Sequence, residues 1–129
     1  MATVYTQAGE EVVVDLIDGT SNVHLDSSNT YIGWGTGSGT AAKGDTDLFG
    51  PATEARVAAT ASQPTPDKNQ WVGTLTANSA KTITNAGLFR GAGTGSPPSG
   101  GTLIIHADHA GVALNAGDSI QYTFTLEQT

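Results

Sequence analysis

Near its C-terminus the chain reads SIQYTFTLE, residues 119–127, where Ile120, Tyr122, Phe124 and Leu126 alternate without a break with Gln121, Thr123, Thr125 and Glu127. A period of two puts the apolar side chains on one face of an extended strand and the polar ones on the other. Such a segment has to lie with one face on a core and the other in water. The pattern recurs upstream. In QWVGTLTA (70–77), Trp71, Gly73 and Leu75 lie opposite Val72, Thr74 and Thr76. NTYIGWG (29–35), KTITNAGLF (81–89) and TLIIHAD (102–108) are further strands, the last the most apolar.

The remaining segments read as follows. In GEEVVVDLIDGT (9–20) three consecutive valines favour a strand over a helix, ending at an Asp18–Gly19 turn with NVHLD (22–26) as a short partner. TEARVAAT (53–60) reads as a strand on the alternation of Ala55, Val57 and Ala59. ASQPTPDKN (61–69) has two prolines in polar company and reads as a loop. RGAGTGSPPSGG (90–101) is a second loop, and AGVALNAGDS (110–119) a short turn. With 19 threonines and 17 glycines, and no long amphipathic helix, the expectation is an all-β single domain, a β-sandwich or jelly roll, with a small barrel as the alternative. Residues 1–11 are expected to form an extended N-terminal arm and 12–129 the sandwich. The expected core comprises Ile32, Trp34, Leu75, Leu88, Phe89, Ile104, Ile120, Tyr122, Phe124 and Leu126.

At 129 residues the chain is the size of one domain. It has no cysteine, so neither disulfides nor thiolate metal sites enter. No apolar run approaches a membrane span, and the N-terminus lacks the basic-then-apolar pattern of a secretory signal, so no membrane partner is expected. Twelve acids against 5 bases give a formal charge of -7, and Lys43, Arg56, Lys68, Lys81 and Arg90 are scattered. A nucleic-acid surface needs clustered cations, so direct nucleic-acid binding is not expected.

YIGWGTGSGT (31–40) places a glycine at every second position from Gly33 to Gly39. It is not a phosphate loop: Lys43 precedes Gly44 instead of following a final glycine, and the run lacks the G-x-x-G half of the dinucleotide fingerprint. Glycines in this pattern let the chain leave a sheet and lie closely across a neighbour. In HADH, His106 and Asp108 share a strand face while His109 points the other way. With His24, the remaining imidazole, His106 and Asp108 are the candidate metal ligands of a small metal-dependent hydrolase, set against the plainer reading of a polar strand end. Nine serines occur without a G-x-S-x-G elbow. No catalytic residue and no cofactor is assigned.

Three segments resemble a broad group of tailed-bacteriophage virion proteins: YIGWGTGSGTAAKGDTDLFGPATEAR (31–56), TITNAGLFRG (82–91) and GTLIIHADHAGVALNAGDSIQYTFTLEQ (101–128). Ile32, Trp34, Gly35, Leu48, Phe49, Glu54 and Arg56 match the first part of that pattern, and Ile83, Gly87, Leu88 and Phe89 the second. Leu103, Val112, Leu114, Gly117, Asp118, Ile120 and Phe124 match the third. The chain departs from the pattern at Asn85, where glutamate is usual and would suit a partner such as Arg56, and at His106 and His109, where an arginine and an aromatic are usual.

The resemblance implies a non-enzymatic β-sandwich of the virion. The closest kind is a capsid decoration, or cement, protein that bridges major capsid subunits on the capsid exterior, since a chain of this length lacks room for a long fibre. A tail-fibre, tail-tip or baseplate attachment protein is the alternative. A small, weakly charged domain is expected to draw stability from partners, here the major capsid protein and its own copies in a homotrimer. Val4 and Tyr5 of the arm, adding to a neighbour's sheet edge, and Trp34 and Phe49, as apolar anchors of the 33–50 loop, are the candidate interface residues.

Overall fold

A computed structural model describes residues 1–128. In chain order the elements are β1 (Thr3–Tyr5), α1 (Gln7–Asp18), β2 (Thr30–Gly35), β3 (Val57–Ala58), β4 (Thr60–Thr65), β5 (Lys68–Thr76), β6 (Lys81–Arg90), β7 (Thr102–Leu114) and β8 (Ser119–Glu127). The strands form two antiparallel sheets, one of five strands in the order β1-β7-β6-β2-β3 and one of three in the order β4-β5-β8. The protein is an all-β single domain, with one helix among the described residues.

The sheets meet where alternation predicts. Ile32, Trp34, Leu88 and Ile105 of the five-stranded sheet share one buried cluster with Trp71, Leu75 and Phe124 of the three-stranded sheet. Gly73 lets the layers close: a Cβ there would sit 3.1 Å from Ile32 Cδ1. Along β8, Phe124 is buried and Ile120, Tyr122 and Leu126 pack against the core, while Gln121, Thr123, Thr125 and Glu127 are exposed. Phe89 belongs to a second cluster, with Leu48 and Leu103, on the opposite face of the five-stranded sheet.

Several segments differ from the sequence reading. The valine run is helical, not a strand. Thr6 caps α1 by accepting the Gly9 N–H at 3.0 Å, and Gly19, at φ 81°, ends it in the left-handed region. Gly9 and Val12 are buried on one helix face, with Leu16 packed behind them. A Cβ on Gly9 would lie 2.6 Å from Ile104 O, so the helix backbone presses directly on β7. Caps and this three-and-four spacing outweigh the modest strand preference of valine. NVHLD is consequently not a strand.

Residues 1–11 are not a free arm. Thr3, Val4 and Tyr5 pair with Ala107, His106 and Ile105 of β7, and the following residues begin α1. The segment does add to a sheet edge, but to that of its own chain. ASQPTPDKN is not a loop: β4 turns through Pro66–Asp67 into β5, with Thr65 opposite Lys68. Pro64 is tolerated because β4 is an edge strand with a register shift between Ser62 and Thr65. Of TEARVAAT, Val57–Ala58 form β3 and Thr60 begins β4, and AGVAL extends β7 to pair with Lys81–Ile83 of β6 instead of turning.

Candidate functional site: loops fastened across the five-stranded sheet

Alternation on β2, β6 and β7 sends Gly33, Gly35, Asn85, Gly87 and His106 to the face away from the three-stranded sheet. Residues 36–50 fold down onto this face. The base of the loop is closed by Thr36 N–H to Gly50 O and Gly37 N–H to Phe49 O, both 2.9 Å. The glycines make this approach possible: a Cβ on Gly35 would lie 2.4 Å from Phe49 O, and one on Gly37 2.6 Å from the Phe49 carbonyl carbon. The alternate glycines thus permit close backbone contact within the chain.

Asn85, fully buried, is the principal fastener. Its Oδ1 accepts the Phe49 N–H at 3.0 Å and its Nδ2 donates to Phe49 O at 2.9 Å, which fixes the orientation of the amide. His106 Nε2 lies 3.0 Å from the same Oδ1 and must therefore carry the hydrogen it shares there. His106 Nδ1 meets Asp45 Oδ2 at 2.7 Å, and that oxygen also accepts the Ala42 N–H. The imidazole is 0 % exposed and packs against the Phe49 ring at 4.7 Å between centroids.

Two residues along β7, Asp108 fastens what flanks this contact. Oδ2 accepts the Ala41 N–H at 2.7 Å, and Oδ1 accepts the Ala2 N–H at 3.1 Å with the N-terminal ammonium at 3.5 Å. The Ala41 bond, joined by the Ala2 bond and the terminal charge, outweighs desolvation and holds the Asp108 carboxyl below its ordinary range. Lys43 ties the loop to α1, its carbonyl accepting from Gln7 N–H and its ammonium paired with Glu10.

The second Gly-rich loop, 90–101, is held by Arg56. Nη1 donates to Gly91 O and Gly100 O at 3.1 and 2.8 Å, and the guanidinium lies 3.5 Å from the Phe89 ring centroid. Burial pulls the Arg56 pKa down, with Asp47 acting in the opposite direction. Position 85 therefore does not serve Arg56: the arginine takes carbonyls and a ring. Glu54 instead binds Lys81 at 2.5 Å, Trp34 Nε1 at 3.1 Å and Asn78 N–H at 2.9 Å. Burial acts to raise the Glu54 pKa, but the bonds from Lys81, Asn78 and Trp34 outweigh it and hold it below the usual value.

These contacts revise the candidate residues. Trp34 is 1 % exposed and belongs to the core, so it presents no anchor to a partner. Phe49 is half-buried beneath its own loop, and Val4 and Tyr5 are half-buried in β1. His106 and Asp108 do share a face, but they hold the 36–50 loop and the N-terminus. His24 is exposed on the 20–29 connection beside a cavity of about 300 Å³ lined by Leu16, Leu25, Trp71 and Leu126. Among the described residues no group of three His, Asp or Glu side chains converges as a metal would require, so His106, Asp108 and His24 do not form the candidate triad. His109 turns to the other sheet, its Nε2 2.8 Å from Tyr122 Oη.

Sequence reasoning missed Asp45 and the Glu54–Lys81 pair. The partners are far apart in the chain, and no local pattern joins them. No helix of the described residues is long and apolar enough to cross a membrane. No protein-family model, curated protein or solved structure matches the chain.

Proposed function

We propose that the chain is a virion structural protein that decorates the outside of a phage capsid, bridging neighbouring major capsid subunits as a homo-oligomer, without enzymatic activity or a cofactor. The observation that carries this reading is how the chemistry-bearing side chains are used. Both nitrogens of His106, both oxygens of Asp108 and the guanidinium of Arg56 are engaged in holding loops against the sheet. An acid–base group has to reach a substrate, and a wholly buried imidazole flanked by Asp45 and Asn85 does not.

Several residues of the phage-like segments, among them Gly35, Leu48, Phe49, Arg56 and Phe89, lie at these fastened contacts, which gives that pattern a physical purpose. Rigid loops suit a protein that clamps a lattice. The charge of -7 suits an exterior position better than one facing packaged DNA. A tail-tip or tail-fibre adaptor built on the same domain is the second reading, with the same loops meeting a tail protein. The test is electron microscopy of intact particles carrying labelled protein. Density spread over the head lattice is the expected result; density confined to the tail or to one vertex replaces this reading with the second.

A further inference from the structure

The edges of the two sheets are protected unequally. The β3 edge is two residues long and the β1 edge three. The β4 edge carries Pro64 and a register shift. Beyond β1, the far end of β7 is short and interrupted by Gly111. β8 is different: nine residues, with no proline, glycine, lysine or register shift, at the border of the three-stranded sheet. A long regular edge of this kind is a template for pairing unless something covers it.

Which backbone groups are open follows from the ladder. Ala77 N–H donates to Asp118 O and Gln128 N–H to Asp67 O, both continuing the β5–β8 register. Even-numbered residues of β8 therefore bond to β5. The N–H and C=O groups of Ser119, Gln121, Thr123, Thr125 and Glu127 point away from the sheet.

We infer that this edge pairs with β8 of a second copy, antiparallel about a two-fold axis at Thr123, joining the three-stranded sheets into one continuous sheet. The register is self-complementary on both faces. On the exposed face Thr123 meets Thr123, Gln121 meets Thr125 and Ser119 meets Glu127, so no like charges oppose one another, and Glu127 already has Lys68 at 3.7 Å in its own chain. On the core face the closer, non-hydrogen-bonded pairs are Ile120 with Leu126 and Tyr122 with Phe124. These cover the half-buried Ile120, Tyr122 and Leu126, and Tyr122 borders a cavity of about 230 Å³ whose lining includes Ile105, Ala107 and Phe124 with the polar Asp108 and His109. A second copy supplies what the edge needs: outward donors and acceptors in matching register, polar residues outside with Glu127 the single charge, and apolar residues inside. The contact does not depend on where the protein sits in a particle, and it is two-fold, not the three-fold association expected from the sequence.

Sedimentation equilibrium of the full chain, with amide hydrogen exchange read residue by residue, tests this. The expected result is a dimer in which the amides of Gln121, Thr123 and Thr125 become protected as concentration rises, because in the isolated chain they face solvent. Thr123→Lys puts two ammonium groups opposite each other across the axis and is expected to weaken association about tenfold or more. Gln121→Lys combined with Thr125→Glu creates opposite-charge pairs only in this register and is expected to tighten it about two- to fivefold. Thr123→Pro removes an outward N–H while sparing the β5 ladder and leaves a monomer; Thr123→Lys serves alone if that variant does not fold. A chain that stays monomeric at millimolar concentration overturns the inference. So does an oligomer, trimer included, that Thr123→Lys leaves unchanged, or one whose odd-numbered β8 amides stay unprotected.

Discussion

At Asn85 one amide side chain accepts from Phe49 N–H and donates to Phe49 C=O, the pair of bonds that a neighbouring strand would otherwise make, and it accepts from His106 as well. Asn85→Leu keeps the branched shape and leaves the Phe49 N–H and His106 Nε2 without partners. It should cost about 2–4 kcal/mol, read as a lower urea midpoint at unchanged slope. Gly35→Ala acts on the same contact from the other side, since the added Cβ meets Phe49 O at 2.4 Å and Asn85 Nδ2 at 2.9 Å. That variant should lose the close approach of the loop, seen as faster exchange of the Gly37 amide. Gly35 was legible as a residue of close approach, because glycine has that use and few others in a strand. Asn85 stood out only as a departure, because its partners come from loops whose course no local pattern encodes.

Among the elements, β8 and α1 show where local pattern suffices and where it fails. In β8 the alternation identified the buried face without help. Phe124→Ala should therefore cost about 3–5 kcal/mol, checked by chemical denaturation. In α1 the valines pointed to a strand, yet the helix is held by groups outside the run. Thr6 Oγ1 accepts from Gly9 N–H and donates to Leu103 O at 2.6 Å, so the cap also joins the helix to β7. Thr6→Ala should cost about 1–2 kcal/mol, whereas Thr6→Ser, which keeps the hydroxyl, should stay close to the parent in the same denaturation experiment. A capping threonine six residues ahead of the first valine was visible in the sequence, but its role depends on Gly9 and Val12 finding β7 to pack on.

For the molecule as a whole, the pinned carboxylates predict the response to acid. Glu54 and Asp108 both titrate below their ordinary values of 4.5 and 3.8 in the folded state. Groups depressed on folding contribute stability that is fully present above those ordinary values and is lost as pH falls through the folded ones. Unfolding midpoints should stay level from neutral pH to about 5 and fall below that; Glu54→Gln should flatten the acid limb, as followed by tryptophan fluorescence. Protein purified without chelator should carry far less than one zinc or manganese per chain by elemental analysis, because His24 stands apart from His106 and Asp108. A stoichiometric metal would revive the hydrolase reading. By itself the sequence determined the all-β class, the strands from β5 onward in outline and the buried face of β8, because a period of two has one low-energy outcome when half its side chains are apolar. The tertiary structure alone decided that the valine run is a helix, that the first residues join their own sheet, and that the Gly-rich loops close inward. Those outcomes rest on hydrogen bonds and contacts between residues distant in the chain, and such energies exceed the few tenths of a kilocalorie by which local preference separates strand, helix and loop.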